Sequence, residues 1–401
     1  MTIASGILKT SAFKKQSALG SASTGSGGSE LRRVTSIFTA PVDTYDSNEI
    51  QTHHQSTGTS IGLHRVTGAV NGELSADTYS ELIGSILEKD FATGIDSGAL
   101  TITYGGSAGA WTAVRAADSF LTDGFKAGDV IRASSGSVTA NNSRNFLIVS
   151  VVALTITFIA LDGATVTAGS STTTTLTVTG KKTHAPTTGH TKDYYTFEEW
   201  YSDVAKSETF LDCRIGQIDV SLPATGNATV SINAVGLSRV KGTSQVLTTP
   251  TATTTGIMNA TNGVILINGA TQTVATGINF SIANSAENAG AVIGSNFGQD
   301  VTTGRIMVSG TFTAQFDSST LQDLFDNETD TSISVVLTAD NTGTSDFIAF
   351  TMPLVKLTGD APDDGEKAII RSYPFTAEYN AGGGTGIATE KTILSCQDSA
   401  A

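Results

Sequence analysis

The stretch GGSAG, Gly105–Gly109, has the G-x-S-x-G spacing that presents a nucleophilic serine on a strand–turn–helix elbow, and acyl transfer would be its chemistry. That chemistry also needs a histidine base, an acid to orient it and a helix after the serine. The residues that follow, AWTAVRAADSF, lie among short alternating segments, so a loop of small residues is the expected reading. NAGGGTG, from Asn380, has the glycines of a phosphate loop but no lysine after them to meet a phosphate. His53 and His54 are adjacent, and neighbouring side chains on a strand point to opposite faces, which makes them a poor chelating pair. His64, His184 and His190 add no ligand spacing, Cys213 and Cys396 no zinc pattern, and DAPDDGE (residues 360–366) no alternating calcium ligands. The expectation is no catalytic residue, no metal and no cofactor.

Repeated elements, rather than a reactive cluster, dominate the pattern. RVTGAVNGEL alternates Val66, Gly68, Val70, Gly72 and Leu74 on one face of a strand. Ser75 is placed to cap a helix, Asp77 falls in its first turn, and Tyr79, Leu82, Ile83, Ile86 and Leu87 follow at helical spacing. Setting Val66 on Val308 reproduces the unit without a gap. Gly310 then stands for Gly68, Phe312 for Val70, Asp317 for the capping Ser75, and Leu321, Leu324 and Phe325 for the apolar stripe. A strand and a hairpin follow each copy: DYYTFEEWY, LDCRIGQIDVSL and ATVSINAVGL in one; TSISVVLTA, SDFIAFTMPLVKLTG and KAIIRSYPFTAEY in the other. A long polar segment precedes each copy, at 42–63 and 281–303. This regularity is read as a duplicated domain.

The first copy is interrupted between 99 and 180 by short strands and glycine turns, read as an inserted small β-domain. Residues 1–35, with GSASTGSGGS and the cations Lys9, Lys14, Lys15, Arg32 and Arg33, read as an arm, either disordered or ordered against a neighbouring subunit. The division is 1–35 arm; 36–98 with 181–243 first domain; 99–180 insert; 244–401 second domain.

The 401 residues are 39% hydrophobic and 15% charged, with 42 Gly, which suits several β-rich cores and excludes a disordered polyelectrolyte. A net charge of −14 argues against tight nucleic-acid binding. The most apolar run, FLIVSVVALTITFIAL, is rich in β-branched residues and reads as two buried strands, not a membrane span. No long apolar run opens the sequence, so synthesis in the cytoplasm and no membrane association are expected.

GTFTAQFDSSTLQDLFDNETDTSISVVLT, the following IAFTMPLVKLTGDAPDDGEKAIIRSYPFTAEY and the opening ASGILKTSAFKKQSALGSAS resemble tail tube proteins of long-tailed bacteriophages. The resemblance implies a mainly β fold: two tandem tube-type β-sandwich domains, each with one short flanking helix, plus the inserted β-domain. It implies a structural virion protein, made in the host cytoplasm, whose rings stack into a hollow tail through which DNA passes without specific binding. Six tube domains usually complete such a ring, so a chain with two predicts a trimer with pseudo-sixfold symmetry; a hexamer follows if only one copy serves. Tape measure, tail terminator and tail-tip proteins are the partners it implies. By the same analogy the long hairpins and the arm supply contacts between rings or subunits: Lys14, Lys15, Arg32, Arg33, Tyr45, His53, His54, Asn284, Asn296 and Phe297. An acidic wall would let DNA slide, with Asp43, Asp46, Glu49 and Glu73 as candidate carboxylates. The other reading is a bacterial surface or adhesive protein of Ig-like domains, which calls for a signal peptide and an anchor.

Overall fold

A computed structural model describes residues 3–363 and 366–401. Met1 and Thr2 of the expected arm, and Asp364 and Gly365 of the DAPDDGE turn, lie outside the described residues. The chain is mainly β. Strands β1 (Lys9–Lys15), β2 (Ser29–Glu30) and β3 (Thr35–Thr39) lead through the hairpin β4 (Val42–Asp46) and β5 (Thr59–His64) to β6 (Val66–Glu73) and helix α1 (Ser80–Ile86). After β7 (Ala92–Thr93) come β8 (Asp96–Ser107), β9 (Ala110–Arg115), α2 (Phe120–Asp123), β10 (Val130–Ser134), β11 (Asn145–Val152), β12 (Thr155–Ala160) and β13 (Gly169–Val178). These six strands close a barrel. Strands β14 (Lys181–His184), β15 (Tyr195–Tyr201), β16 (Lys206–Pro223), β17 (Thr229–Gly236) and β18 (Ser238–Gly242) follow. The rest is β19 (Gly263–Ile267), β20 (Ala270–Thr271), β21 (Ala275–Ala283), β22 (Glu287–Asn288), β23 (Val301–Thr302), β24 (Met307–Gln315), α3 (Thr320–Asp326), β25 (Thr331–Thr338), β26 (Phe347–Leu357), β27 (Ala361–Pro362), β28 (Ile370–Ala377) and β29 (Ser395–Asp398).

One order of pairing occurs twice. In the first run β1 pairs β15, β15 pairs β16, β16 pairs β17, β17 pairs β6 and β6 pairs β3. In the second, β19, β25, β26, β28, β24 and β21 pair in the same sequence. The register agrees as well: Phe38 faces Gly68 in one run and Phe280 faces Gly310 in the other. Strands β18 and β29 flank β16 and β26 in turn. Both β16 and β26 are long because each serves two sheets. The first half of β16 pairs β15 and β18, then the chain shifts register at Gly216 and its second half pairs β17. A strand that changes sheets through an irregularity makes the corner of a sandwich.

The expected arm differs from the structure. All of β1 pairs with β15, and Ala12 and Phe13 are buried. The flexible composition begins only near Gly20; KTSAFKK before it carries an aromatic that stacks near Tyr195 and Phe197 at 5.8 Å from each. The helix caps differ too. Asp77 has φ 66, incompatible with a first helical turn, so α1 starts at Ser80, and Ser75 Oγ bonds Thr78 Oγ1 instead. The carboxylate of Asp398, from the last strand, accepts from the Asp77 amide at 2.8 Å and from Ser80 Oγ at 2.6 Å. Similarly α3 starts at Thr320, after Ser319 rather than Asp317.

The core lies between the sheets and runs through both copies. Phe38 packs on Phe197 and Phe210 at 4.9 Å from each, Phe280 on Phe350 at 5.1 Å, and Phe312 on Tyr373 at 5.0 Å. Burial of a side chain of this size contributes roughly 2–3 kcal/mol. The barrel has its own core, including Phe120, Phe146, Phe158 and Leu176. Although it interrupts the first copy in sequence, it seats on the second: Val130, Leu147 and Ile159 meet Leu266, Val336, Phe347 and Ala349. Gln397 of β29 locks this contact, accepting from the Val130 amide and donating to the carbonyls of Val130 and Thr179.

Candidate assembly surfaces

The second half of β16 pairs β17 along one edge and β21 along the other, Gln217–Pro223 against Gly277–Ala283. The two copies therefore share one sheet, β3–β6–β17–β16–β21–β24–β28. A single row of registered residues crosses it: Thr35, Asn71, Ser231, Asp219, Ser281, Ser309 and Thr376. The next row inward is Ser36, Val70, Ile232, Ile218, Ile282, Val308 and Ala377, all buried. Alternation thus gives one apolar face against the core and one open face made mostly of hydroxyl and amide side chains, with Ile37 and Met307 exposed among them. Glu73 and Asp219 are its carboxylates along the central strands, and amides of Asn227 and Gln217 bond them at 2.7 and 2.8 Å. Of the four carboxylates suggested from sequence, only Glu73 lies here. Asp43 pairs with Arg65 at 3.0 Å beside the β4–β5 hairpin, where Asp46 and Glu49 also lie.

A second surface forms where the β21–β24 segment folds over the first copy. Arg214, 5% exposed, donates to the Val301 carbonyl at 3.1 Å and lies 3.8 Å from Glu88. Thr303 Oγ1 donates to Glu88 at 3.2 Å. Asp300 accepts from the Tyr194 hydroxyl at 2.6 Å and pairs with Lys192. Burial works against the Asp300 charge, but the Lys192 and Tyr194 hydrogen bonds prevail and hold its carboxyl below the usual range. His64 stacks on Phe297 at 4.7 Å and its amide donates to the Asn296 carbonyl at 2.8 Å, so the two long hairpins touch.

The residues singled out from sequence separate into two groups. Lys14 donates to the carbonyls of Thr24 and Ser26; Lys15 pairs with Asp90 and Asp193; Arg32 donates to the Thr255 carbonyl and Arg33 to that of Gly6. All four hold the N-terminal segment to its own chain. Asn284 is buried, its amide bonding the Ile215 carbonyl. Tyr45, His53, His54, Asn296 and Phe297 are exposed in the hairpins, where Ile50, Ile61, Val292 and Ile293 also reach the surface. Sequence reasoning missed Arg214, Glu88 and Asp300, because each is an isolated charge whose partner is distant in the chain. Their signal lies in the repeat, where Lys356 occupies the place of Arg214 and Glu328, with the same positive φ just after its helix, that of Glu88.

Several titratable groups line a cavity of about 450 Å³ between barrel and sandwich, among them Lys89, Lys126, His184 and Glu390. Lys126 donates to the carbonyls of Gly384 and Ile387. Lys182 pairs with Asp129 and, at 3.0 Å, with Glu390. Burial opposes the Lys182 charge, but the two carboxylates outweigh it and raise its pKa. Burial and Lys89 lower that of His184, which stays neutral at pH 7. These charges tie the 379–391 loop to the barrel. GGSAG is the β8–β9 hairpin turn. Cys213 and Cys396 are free and buried, their thiols pushed up chiefly by desolvation. Among the described residues no cluster of His, Cys, Asp or Glu could hold a metal, and no helix is long and apolar enough to cross a membrane.

Fold and surfaces together define a structural β-protein: sheets with open edges, a polar open face and long hairpins. Residues 6–377 match the family model for the phage tail tube protein. The chain belongs to the phage tail tube protein family, and its place is the virion tail. No match was found among curated proteins.

Proposed function

We propose that this chain builds the wall of the tail tube as a trimeric ring of pseudo-sixfold symmetry, each chain supplying two tube domains. The division behind the proposal is 36–98 with 181–243, then 244–401, with 99–180 as the decorating insert; β1 extends the first domain to Lys9. The observation that carries it is the β16–β21 joint, where one copy completes the sheet edge of the other through seven registered positions. A ring removes the remaining edges by repeating that joint, and open edges otherwise invite uncontrolled pairing.

The open Ser/Thr/Asn face lines the lumen in this proposal. Its row from Thr35 to Thr376 offers no lysine or arginine to a phosphate backbone, so DNA slides past without specific binding. The hairpins carrying Tyr45, Ile50, His53, His54, Ile293, Asn296 and Phe297 bridge stacked rings. The barrel stands outside, seated on the second copy. Tape measure, terminator and tip proteins meet the tube at its axis and ends, as the family implies. The chain performs no catalysis in this role. Electron microscopy of concentrated protein tests the proposal: rings or hollow tubes with three chains per ring are expected, and single particles at every concentration and initiator tried, or six chains per ring, overturn it.

A further inference from the structure

The internal joint has a counterpart that is left open at the far end of the chain. Cys213 faces Tyr195 and Val355 faces Thr331, so Arg214 and Lys356 follow at equivalent places; they face Val235 and Thr376 in turn. Arg214 is 5% exposed beneath the β21–β24 segment, whereas Lys356 is 43% and its partner Asp330, 3.5 Å away, 58% exposed. Beyond Lys356, Ala361 faces Ser372 as Asp219 faces Ser231. Asp219 also has Ser281 on its other side, but among the described residues no strand pairs with the far side of Ala361. At the opposite end of the sheet, β3 pairs among the described residues with β6 alone, and Val34 and Ile37 are 64% and 62% exposed.

We infer that β3 and the β4–β5 hairpin of a second copy of this chain dock on the Lys356–Pro362 edge, in the register of the β16–β21 joint, with Thr39 opposite Ala361. This rests on the ring reading above and adds its contact. Ser281 faces Ser309 as Thr39 faces Thr67, which makes Thr39 the residue that meets position 361. The second copy's Thr59, in the place of Val301, presents its carbonyl to Lys356, and Ile61 supplies an apolar contact where Thr303 supplies a hydroxyl. Both edges are guarded against other pairings. Lys9 Nζ sits 2.6 Å from the Ser36 carbonyl, and Pro362 has no N–H on the free side, since the Asp363 amide already donates inward to Ile370. A lysine and a proline on facing edges leave a short ladder that only a matched partner completes.

The double variant Thr39→Cys with Ala361→Cys tests this. Both native thiols are buried and do not compete. Opposed positions on antiparallel strands lie about 4.5–5.5 Å apart, within disulfide reach. Oxidation of assembled tubes should give a covalently closed species of three chains on a denaturing gel, while Thr35→Cys with Ala361→Cys should give none. Tubes that form without the link, or that link equally in both variants, overturn the joint and leave the ring reading standing. Wild-type protein that makes no tubes overturns both. Should the variant not fold, hydrogen exchange of wild type decides: protection of Ser36–Ala40 must rise on assembly, and unchanged exchange there overturns the inference.

Discussion

Single residues show most clearly how close the packing is. A Cβ on Gly68 would stand 2.1 Å from Cε1 of Phe38, and one on Gly310 would stand 2.3 Å from the Asn279 carbonyl oxygen and 2.7 Å from Cζ of Phe375. Gly68→Ala is therefore expected to cost about 1–3 kcal/mol by overpacking, read as a lowered denaturation midpoint. Gly58, with open space around its Cβ position, is the control. In the barrel, Arg144 holds Asp162 through two bonds of 2.8 Å with both side chains partly buried. Burial raises the Asp162 pKa, yet the Arg144 bonds and the Ala164 amide bring it below its ordinary 3.8. Its contribution is thus fully present above pH 3.8 and is lost as pH falls through the lower folded value. Asp162→Asn should cost about 1–2 kcal/mol at pH 7, since the pair is only partly buried, and flatten the acid limb of barrel stability in a pH series. Alternation around Gly68 was legible in the sequence because period two survives any context. The caps were not, since the Asp398 carboxylate reaches α1 from the other end of the chain.

At the scale of elements, the repeat was the most legible feature: Val66 set on Val308 does align β6 with β24. The ungapped alignment fails at the helix, where Ser80 matches Thr320 and Leu87 matches Asn327 because the second copy's strand-to-helix turn is two residues shorter. Less visible was that β1 belongs to it as the counterpart of β19, because a glycine-rich stretch beside it dominates the local composition. The joint itself could not be read, since β16 and β21 show only that each is a strand, not which edges meet. Phe280 sits on that joint and packs on Phe350, so Phe280→Ala should cost about 3–5 kcal/mol and unfold both copies in one transition. Two separate transitions, by calorimetry, would show that the copies do not share a core.

For the whole molecule, the barrel is an addition whose ends lie side by side, the Val178 amide donating to the Ile95 carbonyl at 2.8 Å. Excising it uncovers Leu266, Val336, Phe347 and Ala349, so a chain joined across 95 and 179 should fold but aggregate. Replacing Leu266 and Phe347 with polar residues in that shortened chain should restore solubility, measured by light scattering. Which face of the shared sheet encloses the channel is the claim on which the functional account stands. An electron cryomicroscopy map of assembled tubes tests it most directly. The account predicts three chains per ring, the row from Thr35 to Thr376 facing the lumen and three barrels projecting outward. A map with that row on the outer surface, or with β3 unpaired between chains, would contradict it.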